Sequence, residues 1–365
     1  MKTVLHIVGG MDRGGAESYI MNTLRNIDRS KYHFIIATFI EPADSKKYVF
    51  EDELNTLDVE LIRLRDTRFS KPRDFEKQIE NIVRRRGVDI VHSHIDFMSA
   101  LSLAGAKNGG AEKRIAHSHN TNNANLKSPI KRAVSVFLKR RLNKLATHRI
   151  GCGQAAGEFL FDNKPFTIVS NGIDIDKFKF DKTIRKKLRD KYKIKSSATV
   201  WISVGRLEEV KNHKFLIDLL HDFFADSDTH LFILGNGSLH DDLEKQIITL
   251  NLKNKIHLLS ARDDINEYYS LADFFVLPSF FEGVPTVGIE AQTNGLKCLF
   301  SDKVSTEVKM LDDSIFLPLN NTNKWVDSLK EQTSTNDRLK HLQDKSVQVY
   351  NIKKTVKKLE EIYDI

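Results

Sequence analysis

The chain has 365 residues, of which 40% are hydrophobic and 29% charged, and a formal net charge of +8. This length suits two domains of ordinary size, and the composition is that of a soluble globular protein. No apolar run approaches the ~20 residues that a membrane span requires, and the opening MKTVLHIVGG is charged too early for a signal peptide. Cys152 and Cys298 lie far apart in apolar segments, so we expect them to be buried and reduced in a cytoplasmic protein.

Charge is unevenly shared between the two halves of the chain. Residues 1–175 hold 28 Lys/Arg against 20 Asp/Glu, whereas residues 176–365 hold 29 of each. The whole excess of positive charge therefore belongs to the first half, which suggests an anionic surface as a partner of that half.

In the first half, short apolar runs alternate with helical patterns. The predicted strands are 2–9, 32–39, 59–64, 88–94, 113–119, 148–153 and 166–172. The predicted helices lie near 15–28, 73–86, 97–108, 129–146 and 154–162. This alternation predicts a mostly parallel, doubly wound α/β sheet.

A lysine-rich stretch at 174–197 interrupts the pattern, and we interpret it as a solvated helix. The rhythm then restarts, with predicted strands at 200–207, 230–237, 255–261, 273–279, 297–301 and 314–319. Two Rossmann-like domains are therefore expected, at 1–172 and 180–345. The helical segment 346–365 is expected to cross back to the first domain.

The stretch FFEGVPTVGIE (280–290) places one acid on each side of a predicted helix start. Glu282 falls in the loop after a strand, Pro285 suits the first helical turn, and Glu290 lies just over one turn into the helix. The carboxyl end of a parallel strand is where open α/β sheets bind ligands, and helix-start amides attract phosphate. A ligand with phosphate and hydroxyl groups fits this arrangement, and a helix-dipole role for the acids is the alternative.

Two further motifs follow strands. GGMDRGGAE (9–17) is not GxGxxG, and no acid ends the second strand, which weakens a nicotinamide-cofactor interpretation. Gly14 and Gly15 would let a backbone approach a phosphate, although, taken alone, they are better explained by a simple tight turn. Arg206 and Lys211, in SVGRLEEVKN (203–212), could grip a diphosphate as a fork and a point charge. Together with the two glutamates they indicate a nucleotide-sugar pocket.

The segments GGAE, VSNGID, VGRLEEVKN and FEGVPTVGIEA closely resemble the retaining glycosyltransferases of family 4. The match spans nearly the whole chain in the right order, and its most specific element is Glu-x7-Glu paired with Arg-x4-Lys. The stretch EAQTNGLKCLFSD is most similar to capsular and exopolysaccharide transferases of Gram-positive bacteria. The resemblance implies the GT-B fold, in which two Rossmann-like domains face each other across a cleft.

The resemblance also implies roles for individual residues. Arg206 and Lys211 would bind the donor diphosphate and stabilise it as it leaves, Glu282 would lie near the donor sugar, and Glu290 would hold the ribose hydroxyls. Gly14 and Gly15 would belong to a loop that closes over the donor. The other donor-binding positions implied are Arg262, in the loop 260–264 that contacts the base, and the helix-start residues Gly283, Val284, Pro285 and Thr286.

Two His-x-His pairs end predicted strands of the first domain, at His92 and His94 and at His117 and His119. In the family, a strand-end histidine borders the donor sugar and the reaction centre. The pattern of RIAHSHN selects His119 as that catalytic residue, with His117 as the second candidate. A zinc site built from the two pairs is an alternative, and hydrogen-bonded structural histidines are another.

The segment 126–149 carries eight Lys/Arg and no acid, with an apolar stripe at helical spacing that includes Val134, Phe137 and Leu138. The stripe is expected to pack on the sheet and the charges to be solvated. A further interpretation is a basic helix lying against anionic lipid headgroups. Nucleic acid is disfavoured, because no aromatic platform accompanies the charge.

The sequence therefore predicts a retaining glycosyltransferase that moves a hexose from a nucleotide sugar, with UDP as the expected nucleotide. The expected acceptor is a saccharide linked to polyprenyl diphosphate, in capsule, exopolysaccharide or other cell-surface glycan synthesis. No metal or other cofactor is expected. The expected location is the cytoplasm, with peripheral attachment to the inner face of the cell membrane. The alternatives are a metal-dependent hydrolase using the histidine pairs and a non-catalytic subunit that binds a nucleotide sugar.

Overall fold

The computed structural model describes residues 1–41, 47–121, 128–330 and 338–364. The chain divides into two compact units. Unit 1 comprises Met1–Ile173 together with Ile352–Ile365, and unit 2 comprises Asp174–Asn351.

Unit 1 is built on a seven-stranded parallel sheet. Its strands are β1 (Lys2–Ile7), β2 (Tyr32–Thr38), β3 (Glu60–Arg63), β4 (Ile90–Ser93), β5 (Lys113–Ser118), β6 (His148–Gly151) and β7 (Thr167–Ile168). Their order across the sheet is β3-β2-β1-β4-β5-β6-β7. The order reverses between β1 and β4, which is where an open α/β sheet forms its ligand crevice.

Helices cover both faces of this sheet. They are α1 (Gly15–Asn26), α2 (Glu51–Thr56), α3 (Pro72–Arg86), α4 (Ser99–Gly109), α5 (Pro129–Leu145) and α6 (Gln154–Phe161). In α3, Pro72 occupies the first turn and Gly87 ends the helix in the left-handed region at φ 58°. Phe75, Ile79 and Val83 repeat every four residues along α3 and are buried.

Unit 2 repeats the same plan with a six-stranded parallel sheet. Its strands are β8 (Thr199–Val204), β9 (Thr229–Leu234), β10 (Ile256–Leu259), β11 (Phe274–Leu277), β12 (Lys297–Ser301) and β13 (Ile315–Leu317). Their order is β10-β9-β8-β11-β12-β13, the doubly wound arrangement with its reversal between β8 and β11.

The helices of unit 2 connect these strands and follow them. They are α7 (Ile175–Phe178), α8 (Lys182–Lys191), α9 (His213–Phe224), α10 (His240–Thr249), α11 (Ile265–Leu271), α12 (Thr286–Thr293), α13 (Thr322–Lys330) and α14 (Lys345–Gln348). The last helix, α15 (Ile352–Asp364), belongs to unit 1, where it packs beside α1.

The predicted α/β class with two parallel sheets is confirmed, and each predicted strand is present, with ends that differ from the prediction by at most four residues. The sequence pattern does not predict α2. Its residues EDELNT show no apolar period, because only one of their side chains, Leu54, is buried.

The lysine-rich stretch was predicted to be a solvated helix, and this is wrong for one face of α8. Arg185 and Arg189 reach the carboxylate of Asp273 at 2.5 and 2.7 Å, and the Arg189 side chain is only 7% exposed. The arginine fork allows two such partners to share one carboxylate, which anchors α8 to the start of β11.

The apolar stripe of α5 was expected to pack on the sheet, and this holds for only part of it. Leu138 and Leu142 are buried, but Val134 and Phe137 are 45% and 64% exposed. Ile130, at 76% exposure, lies one turn before Val134 on the same side of the helix. The helix therefore has a buried apolar edge and a second, uncovered one.

Among the described residues, no helix is both long and apolar enough to span a membrane.

Candidate functional site

The loops that follow β8 and β11 meet at the reversal of the unit 2 sheet. After β8 the chain makes a single helical turn, Glu209–Lys211, which ends at Asn212 with φ 54°. The side-chain amide of Asn212 donates to the carbonyl of Pro278 at 3.2 Å. The backbone N–H of Phe280 donates to the carbonyl of Val210 at 2.8 Å. These two bonds hold the loops side by side.

An ion pair joins the same two loops. Lys211 Nζ lies 2.5 Å from Glu282 Oε1, and the two side chains are 12% and 17% exposed. Gly205 makes room for this lysine, since a Cβ at that position would lie 2.9 Å from Lys211 Cε. The glycine at the end of the strand thus directs the ammonium group toward Glu282.

The loop after β9 packs against the loop after β8. The sequence analysis does not identify it as part of the site. A Cβ on Gly235 would lie 1.8 Å from the carbonyl oxygen of Gly205, so only glycine allows this approach. Leu207 donates its backbone N–H to the carbonyl of Asn236 at 2.9 Å. The sequence signal for this loop is the GNG that directly follows a buried strand, although the strand prediction 230–237 includes it in the strand.

Glu290 lies within α12, and its carboxylate is partly buried beside a tyrosine. Tyr269 donates its hydroxyl to Glu290 Oε2 at 2.9 Å. Burial raises the pKa of Glu290 to about 7, while the Tyr269 hydrogen bond and the charge of Lys177 act in the opposite direction. Neither Tyr269 nor Lys177 was singled out from the sequence.

The segment before α12 is held by its backbone. Ser305 donates its N–H to the carbonyl of Glu282 at 3.0 Å, and Glu282 forms a parallel bridge with Val304. Pro285 precedes the helix as its cap residue, one position earlier than predicted, and Thr286 is the first helical residue. Gly283 and Val284 are partly buried in the loop between Glu282 and this cap.

The two predicted arginines differ in their surroundings. Arg206 is exposed, and its guanidinium forms no ion pair within the described ranges. Arg262 makes a two-pronged contact with Asp264 at 2.5 and 2.8 Å and stacks 4.5 Å above the ring of Tyr268. Arg262 is therefore a fixed part of the loop between β10 and α11, whereas the side chain of Arg206 is exposed to solvent.

The remaining predicted donor residues lie in unit 1. Gly14 caps α1, and a Cβ there would meet Glu17 Oε2 at 2.2 Å. Gly15 has open space around the same position. Of the two glycines, steric demand within this unit applies to Gly14.

The two His-x-His pairs of unit 1 come together with a fifth histidine, His6, that the sequence reading did not connect with them. His6 and His92 are register partners on β1 and β4. His119 Nε2 lies 2.9 Å from His94 Nδ1, so one nitrogen of the predicted catalytic histidine is used inside the domain. Burial lowers the pKa of His119 to about 4, with a smaller opposing effect of the Asn171 side chain, and lowers that of His6 to about 3.

The histidine cluster contains two sets of three imidazoles that could hold a metal ion, His6 with His92 and His94, and His94 with His117 and His119. In each set the ligand nitrogens lie within 4.8 Å of one another. The same nitrogens pair with each other through short N···N contacts, such as His6 Nδ1 to His94 Nε2 at 2.9 Å.

Two family models match the chain in succession. The model described as Glycosyltransferase Family 4 matches residues 13–177, and the model described as Glycosyl transferases group 1 matches residues 184–346. The first falls in unit 1 and runs a few residues past its end, and the second falls within unit 2.

Curated relatives agree with these models. EpsF of Bacillus subtilis (strain 168), named as a glycosyltransferase, is 31% identical over 84% of this chain and 81% of its own. CapH of Staphylococcus aureus, a capsular polysaccharide biosynthesis glycosyltransferase, is 27% identical over 100% of this chain and 99% of its own. An Escherichia coli enzyme named UDP-Gal:alpha-D-GlcNAc-diphosphoundecaprenol alpha-1,3-galactosyltransferase is 28% identical over 77% of this chain and 76% of its own.

The fold has a solved counterpart. The crystal structure of HepE from Anabaena in complex with UDP and glucose superposes with a TM-score of 0.80 at 17% identity, covering 100% of both chains. The family models, the relatives and this fold lead to one conclusion: the chain belongs to glycosyltransferase family 4 and is a transferase of the GT-B fold.

Proposed function

We propose that this protein is a retaining hexosyltransferase whose UDP-linked donor binds unit 2 at the reversal of the sheet between β8 and β11. The observation that carries the proposal is the Lys211–Glu282 ion pair across the two strand ends, with Glu290 following in α12, the helix that comes directly after the Glu282 loop. Positive charge for phosphate and carboxylates for hydroxyls are thus gathered at the edge where doubly wound sheets bind nucleotides.

The phosphate end of the proposed site consists of Arg206 and Lys211. Arg206 is exposed and can turn its planar fork onto a diphosphate, while Lys211 supplies a point charge whose position Glu282 fixes. Both charges act on the leaving diphosphate, where negative charge grows in the transition state. On this proposal the two cations do the work for which other transferases use a metal, so activity should persist in a chelator.

The proposed reaction replaces one bond to the anomeric carbon with another on the same face of the sugar. The bond from that carbon to the diphosphate oxygen breaks, and the acceptor hydroxyl oxygen forms the new glycosidic bond. The hydroxyl proton passes to the departing diphosphate, which leaves with both electrons of the broken bond. The intermediate stage resembles an oxocarbenium ion, and the configuration at the anomeric carbon is retained.

The nucleoside end of the proposed site involves Glu290 and the β10–α11 loop. An ionised Glu290 would accept hydrogen bonds from the two ribose hydroxyls, and Tyr269 orients the carboxylate. The loop that contains Arg262 is proposed to contact the base. The UDP seen with HepE and the UDP-Gal in the name of the Escherichia coli relative support uridine as the nucleoside.

The proposed acceptor is a saccharide on polyprenyl diphosphate, used in capsule, exopolysaccharide or other surface-glycan synthesis. The names of CapH and of the Escherichia coli relative support this class. A lipid-linked acceptor requires access to a membrane from the cytoplasmic side. On α5, the exposed Ile130, Val134 and Phe137 lie among exposed basic residues, a combination suited to an anionic bilayer surface.

The experiment that tests this proposal measures UDP release from a panel of UDP-hexoses with lipid-linked saccharide acceptors, with and without chelator. Acceptor-dependent release that survives the chelator and is lost in Arg206→Ala supports it. Donor binding without release would favour a non-catalytic subunit. Chelator-sensitive hydrolysis that is unchanged in Arg206→Ala would favour a hydrolase built on the histidine cluster, whose three-imidazole sets are the observation behind that alternative.

A further inference from the structure

Five histidines and one tyrosine in unit 1 are joined end to end by hydrogen bonds. From His119 the contacts run to His94 (2.9 Å), then to His6 (2.9 Å) and to the hydroxyl of Tyr363 (3.4 Å). From this hydroxyl they continue to His92 (2.8 Å) and end at His117 (3.1 Å). We call these six residues the histidine chain. All of them lie on the sheet face that α1 and α15 cover, and Tyr363 is fully buried.

Each interior ring uses both of its nitrogens within the histidine chain. His94 binds His119 through Nδ1 and His6 through Nε2, and His92 binds Tyr363 and His117 in the same way. Burial lowers the pKa of every one of these histidines, so they are neutral. A neutral imidazole donates from one nitrogen and accepts with the other. The nitrogen that carries the hydrogen in one ring therefore determines which nitrogen carries it in the neighbouring ring.

This constraint leaves two arrangements of the hydrogens. Following the atoms from one end to the other, either every histidine carries its hydrogen on Nδ1 or every histidine carries it on Nε2. Tyr363 passes the direction on, because its hydroxyl donates to one neighbour and accepts from the other. Without that hydroxyl, the histidine chain separates into two groups of residues whose hydrogens are arranged independently.

The two ends of the chain favour the Nδ1 arrangement. Within the described residues, His117 Nε2 and His119 Nδ1 are buried without a hydrogen-bond partner, and so is Asn171 Oδ1. The Asn171 side chain opposes the fall in the pKa of His119 through a hydrogen-bonding interaction with its ring. A hydrogen on His119 Nδ1 would satisfy it and Asn171 together. The opposite arrangement would leave His117 with a buried N–H that donates to nothing.

The stacking of the rings in the histidine chain differs from the arrangement of histidines around a metal ion. His92 and His94 are stacked with centroids 4.3 Å apart, and His117 and His119 with centroids 4.0 Å apart. Their nitrogens lie side by side and are directed at other rings, whereas ligands of one ion must all face it. To bind an ion, either three-imidazole set would have to break several of these bonds.

We propose that Tyr363 of the C-terminal helix is a positioning residue that, through His6 and His94, holds His119 in its Nδ1–H tautomer with its Nε2 directed into the domain. The functional weight of this inference rests on the proposed transferase function and on the catalytic role that the family resemblance implies for His119. The tautomer itself does not, and it can be measured without donor or acceptor.

The test is a long-range ¹H–¹⁵N correlation spectrum of the full chain with ¹⁵N-labelled imidazoles, since the two ring nitrogens resonate differently in each tautomer. The native protein should show five buried histidines as Nδ1–H. In Tyr363→Phe, His6, His94 and His119 should gain Nε2–H population, because His6 Nε2 loses its donor. Tyr32→Phe is the matched control: this hydroxyl binds Asp364 beside Tyr363 but lies outside the chain, so the tautomers should not change.

Several outcomes would overturn the proposal. One is a native spectrum in which the cluster is in the Nε2–H form or in a mixture. Another is a Tyr363→Phe spectrum identical to the native one. A third is a shift of these nitrogens on addition of Zn²⁺ alone at equimolar amounts, which would identify a metal site. Should Tyr363→Phe fail to fold, the native spectrum still decides. Failure here leaves UDP binding by unit 2 intact, so it is distinguishable from failure of the proposed function.

Discussion

Lys211 Nζ and Glu282 Oε1 are 2.5 Å apart, although 70 residues of chain and three strands of the sheet separate the two side chains in sequence. The pair locks the loop after β8 to the loop after β11 at the place where the strand order reverses. Arg206, five residues earlier, has no such partner in the described part of the chain. The two cations assigned to the leaving diphosphate are therefore held in different ways, and their variants should behave differently.

Arg206→Ala and Lys211→Ala should each reduce turnover by roughly a hundredfold or more, as the loss of other transition-state donors does. Only Lys211→Ala should also lower stability, by about 1–3 kcal/mol, because it leaves a partly buried carboxylate unpaired. Steady-state kinetics and urea unfolding of the two purified variants test this. Near-normal turnover in both would remove the assignment, and equal stability would show that the ion pair does not bind the loops together.

Gly205→Ala should impair turnover and lower stability moderately, because the new side chain strains the backbone at φ 158° and also crowds Lys211. The new Cβ would lie 2.9 Å from Lys211 Cε, so the flexible lysine must move away from Glu282. Gly235→Ala is the comparison variant: its Cβ would meet the Gly205 carbonyl oxygen at 1.8 Å, a backbone atom that cannot yield, and we expect marked destabilisation. Thermal melts with turnover assays separate the two effects. Full activity in Gly205→Ala would mean that the position of Lys211 is not critical.

Glu290 should make stability and donor affinity respond to pH in opposite directions. Its pKa is raised from 4.5 to about 7 in the folded chain, so folding favours the protonated form. That stabilisation is complete below pH 4.5 and is lost as pH rises to about 7, a change on the order of 3 kcal/mol. Relative to the native protein, Glu290→Gln should therefore be more stable at pH 8 than at pH 5. Urea midpoints of both proteins at the two pH values measure the difference, and a difference that does not vary with pH would contradict the assignment.

Donor affinity should follow the ionised carboxylate instead. UDP binding to the native protein should strengthen as pH rises through 7, since the charged form makes stronger hydrogen bonds to ribose hydroxyls. Glu290→Gln should bind UDP more weakly and without that pH dependence. Calorimetry at pH 6 and pH 8 is the measurement. Equal UDP affinity of the variant and the native protein at pH 8 would exclude a ribose contact.

Some of the site was accessible from the sequence because spacing after a strand fixes position. Arg206, Lys211, Glu282 and Glu290 follow β8 and β11, and parallel strands deliver their carboxyl ends to one edge. The partners of these residues were not accessible. Tyr269 belongs to a different helix, and no local pattern indicates that its hydroxyl reaches Glu290. Gly235 is needed because of a backbone contact with Gly205, which sequence does not display.

In unit 1, too, the sequence located some residues of the cluster but not their partners. His92, His94, His117 and His119 stood out as pairs, but His6 lies on β1 and joins them only through the register of the sheet. Tyr363 arrives from the far end of the chain on α15. In α5, periodicity located an apolar stripe, but which members are covered depends on what packs against them, and Phe137 is uncovered.

Binding to anionic vesicles should depend on the exposed face of α5. Each Lys or Arg near such a surface contributes roughly 1 kcal/mol, and the effect fades within about a Debye length. Replacing the exposed Lys131, Arg140 and Lys144 with Glu should abolish most binding at low salt, and Phe137→Ser should weaken what remains at high salt. Lys139 and Arg141 are left unchanged, because Lys139 binds the Phe159 carbonyl and Arg141 binds Glu76.

The control for charge alone is an equal reversal on α15, at the exposed Lys354, Lys357 and Lys358. Vesicle co-sedimentation of the two triple variants and the native protein gives the comparison. Equal loss in both would mean that net charge, and not the α5 face, drives attachment. No loss in the α5 variant would make that face an ordinary solvated surface.

The configuration of the transferred sugar decides whether this protein is a retaining transferase that needs no metal. An α-linked UDP-hexose and a polyprenyl-diphosphate-linked saccharide are incubated with the protein in the presence of chelator, and the anomeric proton coupling of the product is read by NMR. We expect an α-linked product, formed with one UDP released per sugar transferred and lost in Arg206→Ala. A β-linked product, or transfer that stops when metal is removed, would contradict it.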